Sequence, residues 1–167
     1  MSDKNLFQPL KSILFMEPKL PLEEAMEGFF LKSLPAFPPN AKDLIVQILP
    51  WLALIGGVIG LWAILVALGL TATASIFVAS GIGLVSGVLS LFASAVTTIL
   101  NLMAFSPLRA NQRRGWNLLY YAVLINIAFA VVSGLFSLPY SIVGIFFAII
   151  VAGVEFWILF QVRERYN

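Results

Sequence analysis

Residues 49–70 read LPWLALIGGVIGLWAILVALGL, a run of 22 residues without a charged side chain. A helix needs about 20 apolar residues to cross the hydrocarbon of a bilayer, so this stretch is long enough for a transmembrane helix. The lack of charge continues well beyond it. Between positions 48 and 162 the chain carries four charges, which are Arg109, Arg113, Arg114 and Glu155. A soluble domain of this size needs a charged surface, so the sequence predicts an all-α integral membrane protein.

The composition supports this class and argues against several functions. Hydrophobic residues make up 60% of the 167 residues, and mean hydropathy is +0.98. There is no Cys and no His, which excludes disulfides and removes the most common metal ligand and general base. No catalytic, metal or nucleotide motif appears, and no basic, aromatic-rich patch suggests nucleic acid. We predict a protein that is not an enzyme and binds no nucleic acid; no cofactor is indicated, although bound lipid is compatible with the sequence.

Four apolar segments are long enough to span a membrane. We predict spans at about residues 49–70, 73–105, 117–136 and 140–162, which together form a four-helix transmembrane domain over residues 41–167. The loops at Leu70–Thr73 and Ser137–Pro139 are short and uncharged. The second segment is longer than a bilayer is thick at about 1.5 Å per residue, so it tilts, projects or breaks near Gly81–Gly83.

The positive charges predict the orientation of these spans. The loop Ser106–Gly115 carries three arginines, the C-terminal tail adds Arg163 and Arg165, and Lys42 precedes the first span. Cytoplasmic loops are enriched in Lys and Arg, so both termini and the central loop are predicted to be cytoplasmic. We expect two helical hairpins in a bacterial-type inner or internal membrane.

Residues 1–40 form a separate, cytoplasmic segment that is amphipathic and proline-rich. A helix is predicted over Pro21–Leu34, and a weaker one over Gln8–Met16. The first has apolar residues at helical spacing. These are Leu22, Ala25, Met26, Phe29, Phe30 and Leu34.

The polar face of that helix is acidic, with Glu23, Glu24 and Glu27 against Lys32. Helices that bind anionic lipid have a basic polar face. We therefore favour docking onto protein, either its own membrane domain or a partner, over a helix lying flat in the lipid interface. The predicted cytoplasmic contact surface consists of Leu22, Met26, Phe29, Phe30, Arg109, Arg113 and Arg114.

Each predicted span carries a stripe of small or weakly polar residues at a mean spacing of about 3.5. Small residues let helix backbones approach closely in lipid, so the stripes predict helix-packing seams. The simpler interpretation is a tightly packed four-helix bundle; the alternative is that a stripe on the first or second span faces another subunit. The seam residues are Gly56, Gly60, Gly83, Gly87, Ser90, Ser94, Ala130, Ser133, Gly144 and Ala148.

Three polar residues, Glu155, Asn126 and Asn101, are predicted to lie in the cytoplasmic half of the spans. A charge in hydrocarbon costs about 2.5–3.5 kcal/mol on insertion scales, so Glu155 should have a partner, be protonated or face the bundle. Three roles remain open. In the first, Glu155 is a shallow residue bonded to an arginine or water. In the second, the three residues are a polar lock that fixes helix register or binds another subunit or a lipid head group. In the third, Glu155 carries protons or coordinates a cation.

Our first functional hypothesis is a structural, accessory or scaffold subunit of a membrane assembly, surrounded by membrane lipids. It would be a homo-oligomer or part of a larger complex. The alternative is a small transporter or channel component with a polar inner vestibule around Glu155. A third hypothesis is a membrane-shaping protein that uses its N-terminal helix as a wedge.

Overall fold

A computed structural model of the chain describes residues 20–74, 81–136 and 142–166. For residues 70–74 and 81–86 it describes the backbone alone. Every regular element within these ranges is helical. The helices are α1 (Glu23–Lys32), α2 (Pro39–Ala74), α3 (Gly81–Arg109), α4 (Arg113–Phe136) and α5 (Ile142–Val162), followed by a 3₁₀ turn at Arg163–Arg165.

Helices α2 to α5 are each long and apolar enough to cross a membrane. The prediction of an all-α chain with four such helices is therefore confirmed. The spans that meet the length and hydropathy requirement are Pro39–Gly69, Gly87–Arg109, Arg113–Phe136 and Ile142–Arg165.

Several helix ends differ from the predicted ends. Leu70–Thr73, which we predicted as a loop, is helical and belongs to the last turns of α2. Helix α3 begins at Gly81, and residues 75–80 of the long second segment lie outside the described residues. Helix α2 starts at Pro39 and runs for 36 residues, about 54 Å at 1.5 Å per residue, so it projects beyond the hydrocarbon. The predicted helix at Gln8–Met16 lies outside the described residues.

The four long helices pack in sequence order and do so unevenly. Helix α3 packs closely against both α2 and α4, the contact between α4 and α5 is smaller, and α2 touches α5 at few points. Much of the surface along the helices consists of exposed bulky apolar side chains, as in Val58, Phe92 and Phe146. Such a surface is suited to lipid rather than to water.

The best-packed core lies at one end of the molecule, which we call the arginine-bearing end because Arg109, Arg113 and Arg163 are there. Its most deeply buried large side chains are Trp116, Tyr120, Phe160 and Leu108. Trp116 stacks on Tyr120 with ring centroids 5.3 Å apart, and its indole N–H donates to the carbonyl of Leu159 at 2.8 Å. Helices α4 and α5 are thus joined at this end by aromatic packing and a buried hydrogen bond.

A tight turn joins α3 to α4 at the same end. Asn111 has φ 52°, a left-handed conformation that Asn tolerates better than most residues. The backbone N–H of Gln112 donates to the carbonyl of Pro107 at 2.9 Å. Gly115 then lies directly against the end of α3, where a Cβ atom would come within 2.6 Å of the backbone nitrogen of Leu108. This close approach requires glycine.

We expect Gly115→Ala to destabilise the pairing of α3 with α4 by about 1–3 kcal/mol, because the added methyl group would overlap with backbone atoms that cannot move independently. Gly87→Ala is the matched control, since a Cβ there meets nothing within 4 Å and alanine favours the helix. Thermal unfolding in detergent measures both. Equal melting temperatures for the two variants would contradict the packing at this turn.

Candidate functional site

The carboxylate of Glu23, in the first turn of α1, is the most deeply buried charged group that the structure describes, with 1% of the residue exposed. One oxygen, Oε1, accepts from the guanidinium of Arg113 and lies 2.7 Å from a guanidinium nitrogen of Arg163. The other oxygen accepts from the backbone N–H of Leu20 at 2.6 Å. This carboxylate therefore links α1 to the start of α4 and to the end of α5.

A second carboxylate and a tyrosine fix the position of α1 further. Arg163 also lies 2.9 Å from a carboxylate oxygen of Glu27, one turn along α1. The hydroxyl of Tyr120 donates to the carbonyl of Pro21 at 2.6 Å. Leu22, between these contacts, has φ 63°, an unusual conformation for a branched side chain. The contacts on both sides hold the backbone in this conformation.

Phe30, near the end of α1, packs against aromatic side chains of α5. Its ring stacks on Phe160 with centroids 5.6 Å apart and lies 6.1 Å from Phe156. Arg113 lies over the face of Trp116 at 4.1 Å, so the same guanidinium contacts both the Glu23 carboxylate and the aromatic core. Cation–π contact and burial both strengthen a charge pair that would be weak at an exposed surface.

The segment between α1 and α2 is fixed to the C-terminal end of the chain. Gln161, which is buried, accepts from the backbone N–H of Phe37 at 3.1 Å and donates to the carbonyl of Pro35 at 3.3 Å. Lys42 pairs with Glu164 at 2.7 Å, and Asp43 pairs with Arg165 at 2.9 Å. The N-terminal and C-terminal parts of the described chain are therefore docked together.

Tyr166 ends this docked region. Its ring is buried within the core at the arginine-bearing end. Burial raises the pKa of the Tyr166 phenol to about 12 because the charged form is poorly solvated there. The phenol is therefore neutral at physiological pH. The free energy of unfolding that its burial contributes falls only when the pH rises above about 10, the ordinary tyrosine pKa at which the unfolded chain loses this proton.

The depth of α1 follows from the residues it touches. Tyr120 lies seven residues inside α4 from Arg113, and Phe156 lies seven residues before Arg163. Each is therefore about 10 Å along the helix from the arginines. Since α1 contacts both, it lies beside the ends of the spans rather than beyond them. The Glu23 ion pairs are consequently level with the ends of the two apolar helices that carry Arg113 and Arg163.

Some residues of the predicted cytoplasmic contact surface are packed or paired within the chain, and the others are exposed. Phe30 and Met26 pack against the core, and Arg113 is engaged by Glu23. The other members, Leu22, Phe29, Arg109 and Arg114, are exposed. Phe29 and Phe30 are neighbours with opposite environments, 57% and 8% exposed.

The three predicted polar residues do not form a hydrogen-bonded cluster within the described residues. Glu155 and Asn126 are exposed, and Asn101 is half-buried beside Gly56. Glu155 and Asn101 lie about 10–12 Å from the arginine-bearing ends of α5 and α3, whereas Asn126 lies about 20 Å along α4, near its middle. Glu155 makes neither an ion pair nor a hydrogen bond with any described residue.

The small-residue stripes also have different environments. On α2, a Cβ at Gly60 would come within 2.3 Å of the Thr98 hydroxyl, so this glycine makes close contact with α3. On α4, Ala130 and Ser133 are half-buried, as is Ala148 on α5. Exposed members are Gly87, Ser90, Ser94 and Gly144, and the surroundings of Gly83 are outside the described part.

Two residues that matter here were missed by sequence reasoning. Gly57 makes the tighter contact with α3, because a Cβ there would lie 2.6 Å from Leu102, whereas Gly56 has more room. Its spacing of three from Gly60 was available in the sequence. Glu23 was assigned to a solvated polar face, and no local signal could show that two arginines, 90 and 140 residues later, surround it.

Within the described ranges no group of three or more metal-ligating acidic side chains lies together. No protein-family model matches the chain, and neither curated proteins nor solved structures show significant similarity to it. Any functional argument therefore depends on the contacts themselves.

We expect Glu23→Gln to undock α1, because it removes the buried carboxylate oxygen that Arg113 and Arg163 share. Breaking one partner of a buried ion pair costs about 3–5 kcal/mol. Hydrogen exchange of the α1 amides should therefore accelerate by a factor of about 100 or more. Glu24→Gln makes the same chemical change at the exposed neighbouring position, where any ion pair contributes about 1 kcal/mol or less, and should alter exchange little. Equal exchange in both variants would contradict a special role for Glu23.

Proposed function

We propose that the protein is a non-catalytic subunit or scaffold of a membrane assembly, and that α5 provides its contact with another transmembrane helix. The observation that carries this proposal is the exposure of Glu155. Its carboxylate lies about 10 Å from the end of an apolar helix and has no partner among the described residues.

Exposure of Glu155 to lipid has a large free-energy cost. A carboxylate facing lipid at this depth costs about 2.5–3.5 kcal/mol on insertion scales, and more by other estimates. A hydrogen-bond donor on a neighbouring subunit would remove much of this cost. Polar side chains are accordingly a common means of association between helices in membranes.

The residues around Glu155 fit such a contact. Gly144, Ala148 and Val151 precede it at spacings of 4, 3 and 4, so all four share one face of α5. A Cβ at Gly144 would meet nothing within 4 Å, so this face has room for the backbone of another helix. On α3, exposed Gly87, Ser90 and Ser94 provide a second surface of the same kind.

The docking of α1 bears on the other two hypotheses. A membrane wedge needs a helix that is free to enter lipid, whereas α1 is held by the Glu23 ion pairs and by Phe30. A transport role needs a continuous polar path, and the three polar side chains make no hydrogen bonds to one another in the described ranges. Assembly is therefore the function we favour.

Glu155→Gln should weaken the native assembly in mild detergent by about 1 kcal/mol or more, because an amide replaces the carboxylate as acceptor. Native gel electrophoresis or mass photometry would then report a smaller species. Glu164→Gln is the control, since it makes the same change just beyond α5 and loses only an exposed ion pair with Lys42, which contributes about 1 kcal/mol or less within the chain.

Two results would contradict the assembly proposal. One is a wild-type protein that runs as a single 18.3 kDa chain in mild detergent. The other is a proteoliposome ion flux that Glu155→Gln abolishes, which would favour the transporter alternative.

We further propose that both termini and the turn between α3 and α4 are cytoplasmic, in a bacterial-type inner or internal membrane. The support is the positive charge at the arginine-bearing end. The chain has no Cys, so Gln112→Cys introduces a single thiol at an exposed position of this turn. An impermeant maleimide should label it in inside-out vesicles and not from the periplasmic side; periplasmic labelling would refute the orientation.

A further inference from the structure

The five arginines of the chain have two kinds of environment. Arg113, Arg163 and Arg165 are in ion pairs with carboxylates of the same chain. Arg109 and Arg114, on either side of the turn between α3 and α4, are exposed and pair with no described carboxylate. We propose that Arg109 binds the phosphate of an anionic phospholipid, and that an acyl chain of this lipid lies along an apolar face of α2.

Arg109 is positioned by two aromatic rings. Its guanidinium carbon lies 5.7 Å from the ring centroid of Trp51 and 5.7 Å from that of Phe105. The two rings contact each other with centroids 5.5 Å apart, so α2 and α3 together form the platform. Cation–π contact orients the guanidinium while leaving N–H donors for a ligand. A planar guanidinium is well suited to bidentate binding of phosphate.

The surface below this platform has the length and character of an acyl chain site. Trp51, Ile55, Val58 and Trp62 follow one another at spacings of 4, 3 and 4, so they form one face of α2. Each of these side chains is at least half exposed. Eleven residues from Trp51 to Trp62 span about 16 Å, close to half of the roughly 30 Å hydrocarbon thickness. The face therefore covers one leaflet.

Charge favours an anionic over a zwitterionic lipid. The phosphate of a zwitterionic lipid carries an ammonium group close by, which would need a carboxylate or a free aromatic face beside Arg109. The Trp51 and Phe105 rings there already contact the guanidinium. No described carboxylate pairs with Arg109, so a head group with net negative charge is the better complement. An acidic protein segment would satisfy the guanidinium but leave the apolar face from Trp51 to Trp62 uncovered, which is why we infer a lipid.

The test is native mass spectrometry of the detergent-purified protein with phosphatidylglycerol or phosphatidylcholine of identical acyl chains. The wild-type protein should retain phosphatidylglycerol in preference to phosphatidylcholine. Arg109→Gln should reduce this preference by about fivefold, which corresponds to the contribution of one basic residue near an anionic surface. Arg109→Lys should keep most of it, because the charge remains. Since Arg109 is exposed, these variants should fold.

Arg114→Gln is the matched control, because it removes the same charge from the same turn but, unlike Arg109, has no described ring contact. It should leave the preference nearly unchanged. An equal loss in Arg109→Gln and Arg114→Gln would overturn the site in favour of diffuse electrostatic attraction. Displacement of the lipid by glycerol 3-phosphate, or by an acidic protein that co-purifies, would overturn it in favour of a soluble phosphate or a protein ligand.

Discussion

The ion pairs of Glu23 with Arg113 and Arg163 join parts of the chain that are far apart in sequence. The carboxylate belongs to a short helix outside the spans, whereas one arginine begins α4 and the other follows α5. Burying three charges is costly, so such a site stabilises a fold only when every group is paired. The ion pairs therefore select one docked position of α1, because in any other position the two arginines would lose the carboxylate that they share. The docking of α1, the order of the chain ends and the aromatic core all depend on this arrangement.

The uneven packing of the molecule has a physical explanation. Burial of apolar side chains drives little association between helices in lipid, because acyl chains are as apolar as leucine. At the arginine-bearing end the chain reaches the polar interface, where hydrogen bonds, ion pairs and aromatic rings with a polar group become effective. Trp116 and Tyr120, which donate hydrogen bonds to the carbonyls of Leu159 and Pro21, are at this level. Farther from it, glycine permits the close approach of α2 to α3, as at Gly57 and Gly60.

The sequence was sufficient for the features that depend on local composition. The long uncharged runs predicted four apolar helices, and the structure has them. Helix ends were less predictable, because Leu70–Thr73 has neither a charge nor a proline to end α2. Glycine spacing predicted that α2 would have a contact face but not that Gly57 would be the tighter contact than Gly56, since both share the pattern.

The candidate sites bring together residues that are far apart in sequence, and no local sequence pattern predicts such contacts. Glu23 and Glu24 are adjacent acidic residues, yet Glu23 is buried against Arg113 and Arg163 and Glu24 is exposed. The position of Asn126 near the middle of α4 followed from the start of that helix at Arg113, four residues before the predicted start. In both cases a shift of one to four residues along a helix decides which polar groups can contact each other.

The central claim is that the Glu23 carboxylate holds α1 in one orientation against α4 and α5. Because the chain has no Cys, Phe29→Cys and Phe30→Cys each introduce one thiol, on neighbouring residues that differ in burial. The most direct measurement is the rate of maleimide labelling of these two variants in detergent, with and without Glu23→Gln. The account predicts fast labelling at Phe29→Cys, slow labelling at Phe30→Cys, and a loss of this difference when Glu23→Gln is added. Equal rates without Glu23→Gln, or a difference that survives it, would contradict the account.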